Sequence, residues 1–329
     1  MDKFKKRFIV LTLLTLLSII IFMIIWILKY KELIFNNNIN ITNALINITR
    51  RRFIQMVAII ISSILIAIST LSFQTITQNR ILTPSILGFD SIFIITQTLI
   101  VALFGSFSIF LASDYLNFLV STSLMIIIVF LMFLFVLRKN KNNIVLLLLI
   151  GLVITQLASS ITSFIQVFMN PEDFQNVLSL TNVNINAINE GLVLLSLPMM
   201  LILLWLFYKE NKILDVMSLG EDNAINLGIN YKKEVNKTLI YITISIAIST
   251  ALVGPLSFLG LLVVNGAKEM FKSNKHKKLM LVSSMLAVLS ILGGQVILDL
   301  INFKTPVTVL INLMGGIYLL YILIKPTIK

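Results

Sequence analysis

Between Phe8 and Leu28 the chain reads FIVLTLLTLLSIIIFMIIWIL, an unbroken apolar run between Asp2-Lys3-Phe4-Lys5-Lys6-Arg7 and Lys29-Tyr30. A run of this length covers the hydrocarbon core of a bilayer as a single helix of about 20 residues. It is too long for the apolar region of a signal peptide, and Trp26 and Tyr30 suit an interfacial anchor. The pattern repeats along the chain. Apolar segments at about 53–72, 86–105, 116–137, 144–168, 191–208, 237–253, 255–267, 279–298 and 306–324 bring the predicted spans to ten. The eighth is short and opens on Gly254-Pro255, as a half-helix would.

Composition agrees. Of 329 residues 58% are hydrophobic and 12% charged, and mean hydropathy is +1.00. Soluble domains carry about 25% charged residues, and disorder requires low hydrophobicity; both are excluded. At roughly 30 residues per span and loop, the length is used up by about ten spans. The expected fold is an all-α polytopic membrane protein, one transmembrane domain over 1–329, in the cell membrane.

The net charge of +12 could signal nucleic-acid binding, but its distribution reports orientation instead. With a cytoplasmic N-terminus, twenty of the 26 basic residues fall in inside segments, and ten spans return the C-terminus to the same side. The six outside are Lys29, Lys31, Arg50, Arg51, Arg52 and Lys304. Cytoplasmic loops collect Lys and Arg, so both termini are expected in the cytoplasm. The outer loop 169–190 has no basic residue, and Asn36-Asn37-Asn38-Ile39-Asn40 suits an exposed turn-rich stretch.

Several chemistries are missing. No cysteine is present, which removes disulfides and thiolate sites. A single histidine, His276, rules out a His-based metal centre within the chain. The phosphate-cradling loop Gly-x-x-x-x-Gly-Lys-Ser/Thr is absent. Ionisable residues in the spans reduce to Asp90, near the inner end of the third, and Asp299, near the outer end of the ninth. Ion-coupled transporters carry acidic or histidine relays at membrane depth. A secondary transporter acting alone therefore fits less well than a pathway energised by another subunit, and a membrane-embedded enzyme lacks a clustered acid–base set.

The loop at about 209–236 contains Met217-Ser218-Leu219-Gly220-Glu221-Asp222-Asn223-Ala224-Ile225-Asn226-Leu227-Gly228-Ile229. It reads as a short amphipathic helix, with Glu221 and Asp222 at the end where the dipole favours negative charge and Gly228 as its C-terminal cap. A second stretch, Phe73 to Ser91, places Gln74, Asn79, Leu82, Pro84, Leu87 and Gly88 in a tight turn between spans two and three; Pro84 disfavours helix at Thr83, and Gly88 permits close helix approach. A third, Gly254 to Lys268, contains Gly254, Pro255, Phe258, Gly260 and Leu261. In order and spacing these three stretches resemble the FecCD-like permeases, the membrane subunits of ABC importers for iron-siderophores, heme and vitamin B12. The resemblance runs from about residue 50 to the C-terminus. Arg80 stands where the family has Pro, Val264-Asn265 where it has Pro-His, and Lys268 where it has Arg; the Asn-Arg-Ile-Leu-Thr-Pro-Ser variant is similar to the catechol-type siderophore branch.

The resemblance implies a permease without enzymatic activity or cofactor, paired with a second identical or related permease. It implies a cytoplasmic ATPase dimer coupled through Leu219, Gly220, Glu221, Ala224, Leu227 and Gly228. It also implies an extracellular binding lipoprotein docking near Arg50, Arg51 and Arg52, whose guanidinium groups suit carboxylates. Attraction of an anionic chelate and anchoring to lipid phosphate are the other readings of that triplet. The implied substrate is a ferric-siderophore, with heme and cobalamin as the family's other cargoes. Gln156, Ser159 and Ser163 share one helical face; with Gln74, Asn79, Pro84, Gly88, Gly254, Pro255, Phe258 and Gly260 they either line the pathway or pack helices. Lys272, Lys275, Lys277 and Lys278 form a basic loop suited to anionic lipid or to the ATPase.

Overall fold

The structure is a computed structural model and describes residues 3–29, 41–106, 108–139, 144–183, 185, 188–301 and 305–324. Its helices are α1 (Lys3–Lys29), α2 (Ile41–Ile76), α3 (Phe89–Phe104), α4 (Ile109–Ala112), α5 (Asp114–Lys139), α6 (Ile144–Val167), α7 (Pro171–Thr181), α8 (Glu190–Met217), α9 (Glu221–Asn226), α10 (Tyr231–Val253), α11 (Leu259–Phe271), α12 (His276–Ile301) and α13 (Val307–Ile324). A 3₁₀ turn, Pro84–Leu87, precedes α3. Each apolar segment read from the sequence carries a helix. Among the described residues, α1, α2, α5, α6, α8, α10 and α12 are long and apolar enough to cross a membrane, seven in all; α3 and α13 are shorter apolar helices, and α11 has 13 residues.

Helix α2 occupies the centre and packs against α10, α12, α8, α11 and α1. Small residues permit this. Ala58, Ser62, Ser63, Ala67 and Ser69 of α2 and Ser245, Ala247 and Ser249 of α10 are buried, and Ser249 Oγ donates to Ser62 O at 3.4 Å. In a bilayer, lipid is as apolar as leucine, so association rests on close backbone approach and interhelical polar contacts. At Gly260 of α11 a Cβ would stand 2.1 Å from Thr70 Oγ1. Helix α6 is peripheral and turns Leu149, Leu152, Val153, Leu157, Ile161 and Phe164 outward.

Several boundaries differ from the hydropathy reading. Helix α2 begins at Ile41 rather than 53, so Arg50–Arg52 lie within a helix and not at its mouth. Helix α11 begins at Leu259, because Gly254 adopts φ +100 and residues 254–258 form a turn. The loop expected at 209–236 contracts to 218–230: α8 continues to Met217 through charged residues that are good helix formers. The outer loop 169–190 contains α7. Its signals are local: Asn170 at the N-cap, Pro171 at the first turn, then Glu172 and Asp173. Asn36–Asn40, Lys31, Lys141, Lys304, Lys325 and Lys329 lie outside the described residues.

Candidate functional site

Helix α9 is built by two glycines. Gly220 precedes it at φ +100 and Gly228 follows at φ +85, conformations L side chains rarely adopt. The end closes as a Schellman motif: Ile229 N donates to Ala224 O at 3.0 Å and Gly228 N to Ile225 O at 2.9 Å. Ala224 is fully buried and seats the turn, whereas Leu219, Ile225 and Leu227 are 57%, 51% and 63% exposed. Glu221 and Asp222 occupy the first turn. The result is a rigid knob with three exposed apolar side chains.

The knob is anchored on the last turn of α2. Gln78 Nε2 donates to Met217 O at 2.8 Å and to Thr75 O at 2.9 Å, while Tyr231 Oη donates to Ile76 O at 3.3 Å. His276, beside the basic residues Lys275, Lys277 and Lys278, is buried at the start of α12. Its Nδ1 lies 2.7 Å from Asp215 Oδ1 and its Nε2 2.7 Å from Thr75 Oγ1. Beside it, Gln74 Nε2 and Asn265 Nδ2 donate to Arg80 O at 2.7 and 2.9 Å, and Lys268 Nζ donates to Gln74 Oε1 at 2.8 Å. Gln74 is thus a buried tie for the 77–82 turn. Asn79 closes that turn by accepting from Ile81 N at 2.9 Å. Pro84 opens the 3₁₀ turn after an extended Thr83, and Gly88, at φ +89, faces α6, where a Cβ would stand 2.9 Å from Thr155 Oγ1.

A cavity of about 420 Å³ lies between α3, α6, α7, the 254–258 turn and α13. Ser91, Ser159, Thr162, Ser163, Ser257 and Asn312 give it an uncharged polar lining, with Pro255 at its wall. Ser91 Oγ and Ser159 Oγ are 3.4 Å apart, and Ser257 Oγ donates to Asp90 Oδ2 at 2.5 Å. Of the α6 face read from the sequence, Ser159 and Ser163 line this cavity; Gln156 is exposed and stands outside it. Phe258 packs instead on Gly315 of α13, where a Cβ would lie 2.5 Å from Phe258 Cβ.

The arginine triplet is divided. Arg50, largely exposed, pairs with the half-buried Glu190 at 2.5 Å, and Arg51 is exposed. Arg52 is 2% exposed and pairs with Asp299 at 2.6 Å. Its guanidinium lies 4.4 Å from the Phe22 ring centre and 4.3 Å from that of Trp26. Asp299 also accepts from Trp26 Nε1 and Gln295 Nε2, each at 3.1 Å. Arg50, Arg51 and Arg52 border a cleft of about 720 Å³ with Glu190 and Gln55.

Long apolar helices packed about a central one, with an uncharged polar cavity to one side and an apolar knob at one end, make up a multi-pass membrane permease. The chain belongs to the FecCD transport family, whose pattern matches residues 9–325. It is 42% identical over 276 residues to the petrobactin import system permease protein YclO of Bacillus subtilis (strain 168), covering 84% of this chain and 88% of that one. It is 29% identical over 299 residues to the petrobactin import system permease protein FatC of Bacillus anthracis, covering 90% and 84%. A solved structure described as an inward-facing conformation of a metal-chelate type ABC transporter superposes with a TM-score of 0.80 at 20% identity, covering 98% of this chain and 99% of that one; at that identity the likeness concerns the fold.

Proposed function

We propose that the chain is the permease subunit of an ABC importer for a ferric-siderophore of the petrobactin type, a single transmembrane domain crossing the membrane ten times with both termini in the cytoplasm. Two chains, identical or related, enclose the pathway, and the Ser159–Ser163 cavity forms part of it. A cytoplasmic ATPase dimer hydrolyses ATP and engages the 218–230 segment. A substrate-binding lipoprotein docks on the opposite side, where Arg50 and Arg51 offer exposed charge; Arg52 belongs to the helix packing beneath them.

The observation that carries this reading is the glycine-bounded knob, which displays Leu219, Ile225 and Leu227. Apolar side chains displayed on a short helix suit a groove on a soluble partner. The petrobactin permeases, alike across most of the chain, support the substrate class. Deletion of 219–228, or Glu221→Arg, should abolish co-purification of the ATPase while leaving the permease in the membrane; normal ATPase recovery defeats the assignment. Growth of a deletion strain on single iron sources tests the cargo, with loss on ferric-petrobactin alone as the expected result.

A further inference from the structure

We infer that His276 is a positioning residue that makes the 218–230 segment and the helix pair α2–α12 move as one body. The inference rests on the reading of that segment as the ATPase docking site. The imidazole is 3% exposed. Asp215 accepts twice on one oxygen, from the His276 backbone N at 2.6 Å and at Nδ1 at 2.7 Å. The opposite ring nitrogen, Nε2, meets Thr75 Oγ1 at 2.7 Å. One side chain therefore joins the last turn of α8, the last turn of α2 and the first turn of α12.

Both flanks of the knob converge on this junction. On the N-terminal side, Asp215 stands two positions before Met217, whose carbonyl accepts from Gln78. On the C-terminal side, Tyr231 bonds Ile76 O. Force applied to Leu219, Ile225 or Leu227 thus arrives at residues 75–78 from two directions.

The far end of the same helix pair is also closed. Arg52 of α2 meets Asp299 of α12 at 2.6 Å. The same number of residues separates Arg52 from Thr75 as separates His276 from Asp299. At 1.5 Å per residue the two buried polar ties stand roughly 35 Å apart. Two antiparallel helices joined at both ends form a strut. Movement at the knob then reaches the helix that carries Arg50 and Arg51 without dissipating in helix sliding.

The test uses the full complex with its ATPase and binding protein in liposomes. Three variants are compared: His276→Leu, which keeps apolar volume; Thr75→Val, which removes one tie; and His276→Gln, which retains a donor and an acceptor. We expect ATPase co-purification and basal hydrolysis to stay at the parent level in all three. Stimulation of hydrolysis by substrate-loaded binding protein, and iron uptake, should fall about tenfold in His276→Leu and Thr75→Val, a common size for coupling between sites. His276→Gln should restore part of both. The double variant His276→Leu/Thr75→Val should be no worse than the worse single, because both break one tie. Full stimulation in His276→Leu overturns the inference, as does loss of ATPase binding or basal hydrolysis in that variant. If His276→Leu fails to assemble, Thr75→Val decides alone: full stimulation there overturns the inference. Failure of the docking reading is separate, since it appears as ATPase retention after deletion of 219–228.

Discussion

Removing the carboxylate of Asp299 should destabilise the permease more than most single substitutions. Arg52 is 2% exposed and its ion-pair oxygen lies 2.6 Å away. Asp299→Ala leaves the cation in place and takes away its carboxylate, which also accepts from Trp26 and Gln295. Breaking a buried pair from one side costs about 3–5 kcal/mol, a shift of roughly 140- to 3,700-fold in the unfolding equilibrium at 1.4 kcal/mol per decade. Asp299→Asn keeps the shape and should lose less, since charge-assisted bonds are about twice as strong as neutral ones. The double substitution Arg52→Met/Asp299→Leu replaces the pair by apolar volume and should return to within about 1 kcal/mol of the parent. The assay is equilibrium unfolding by SDS in mixed micelles. There are two tryptophans, so a Trp205→Phe background leaves Trp26, which stacks on Arg52, as the reporter. An Asp299→Ala loss under about 1 kcal/mol, or a double variant as poor as the two singles combined, refutes the account of Arg52 as a packed, paired cation.

Other substitutions test the rest of the structure. Gly260→Ala places a Cβ 2.1 Å from Thr70 Oγ1 and 2.8 Å from Thr70 Cβ; it should cost about 1–3 kcal/mol in thermal unfolding, and Thr70→Ala should restore only part, because the second contact persists. Gly220→Ala meets open space but must hold φ +100; a conformational cost of about 1–3 kcal/mol should lower ATPase retention on a permease column, whereas Gly228→Asn at φ +85 should be better tolerated. Ser159→Leu fills the polar cavity and should depress iron uptake at unchanged membrane level, while Gln156→Leu, outside the cavity, should leave uptake intact; equal effects would detach the cavity from transport.

Apolar length was the strongest signal in the chain, and every segment it marked carries a helix. Helix ends were less legible. Hydropathy stops where side chains become polar, but backbone hydrogen bonding continues through Asn43 to Arg52 and through Lys209 to Asp215. Helix α7 was readable from its Asn-Pro-Glu-Asp start and was obscured by the expectation of a loop. The α9 geometry was legible because glycine positions are local statements about φ. The fate of Arg52 and His276 was not: Asp299 lies 247 residues from Arg52, and Thr75 lies 201 from His276. A buried cation and an exposed one look alike in sequence. The position of Arg52 next to Arg50 and Arg51 suggested one surface, whereas successive helical residues point about 100° apart and the third arginine turns inward.

The knob at 218–230 holds its shape through its own backbone: two glycines at positive φ, a closing pair of backbone hydrogen bonds and one seated alanine. A segment that carries its conformation with it is transplantable. On the proposed docking reading, exchanging it between permeases of this fold should exchange which ATPase they recruit while leaving their cargo unchanged, which would make engine and cargo traits that about a dozen residues can recombine.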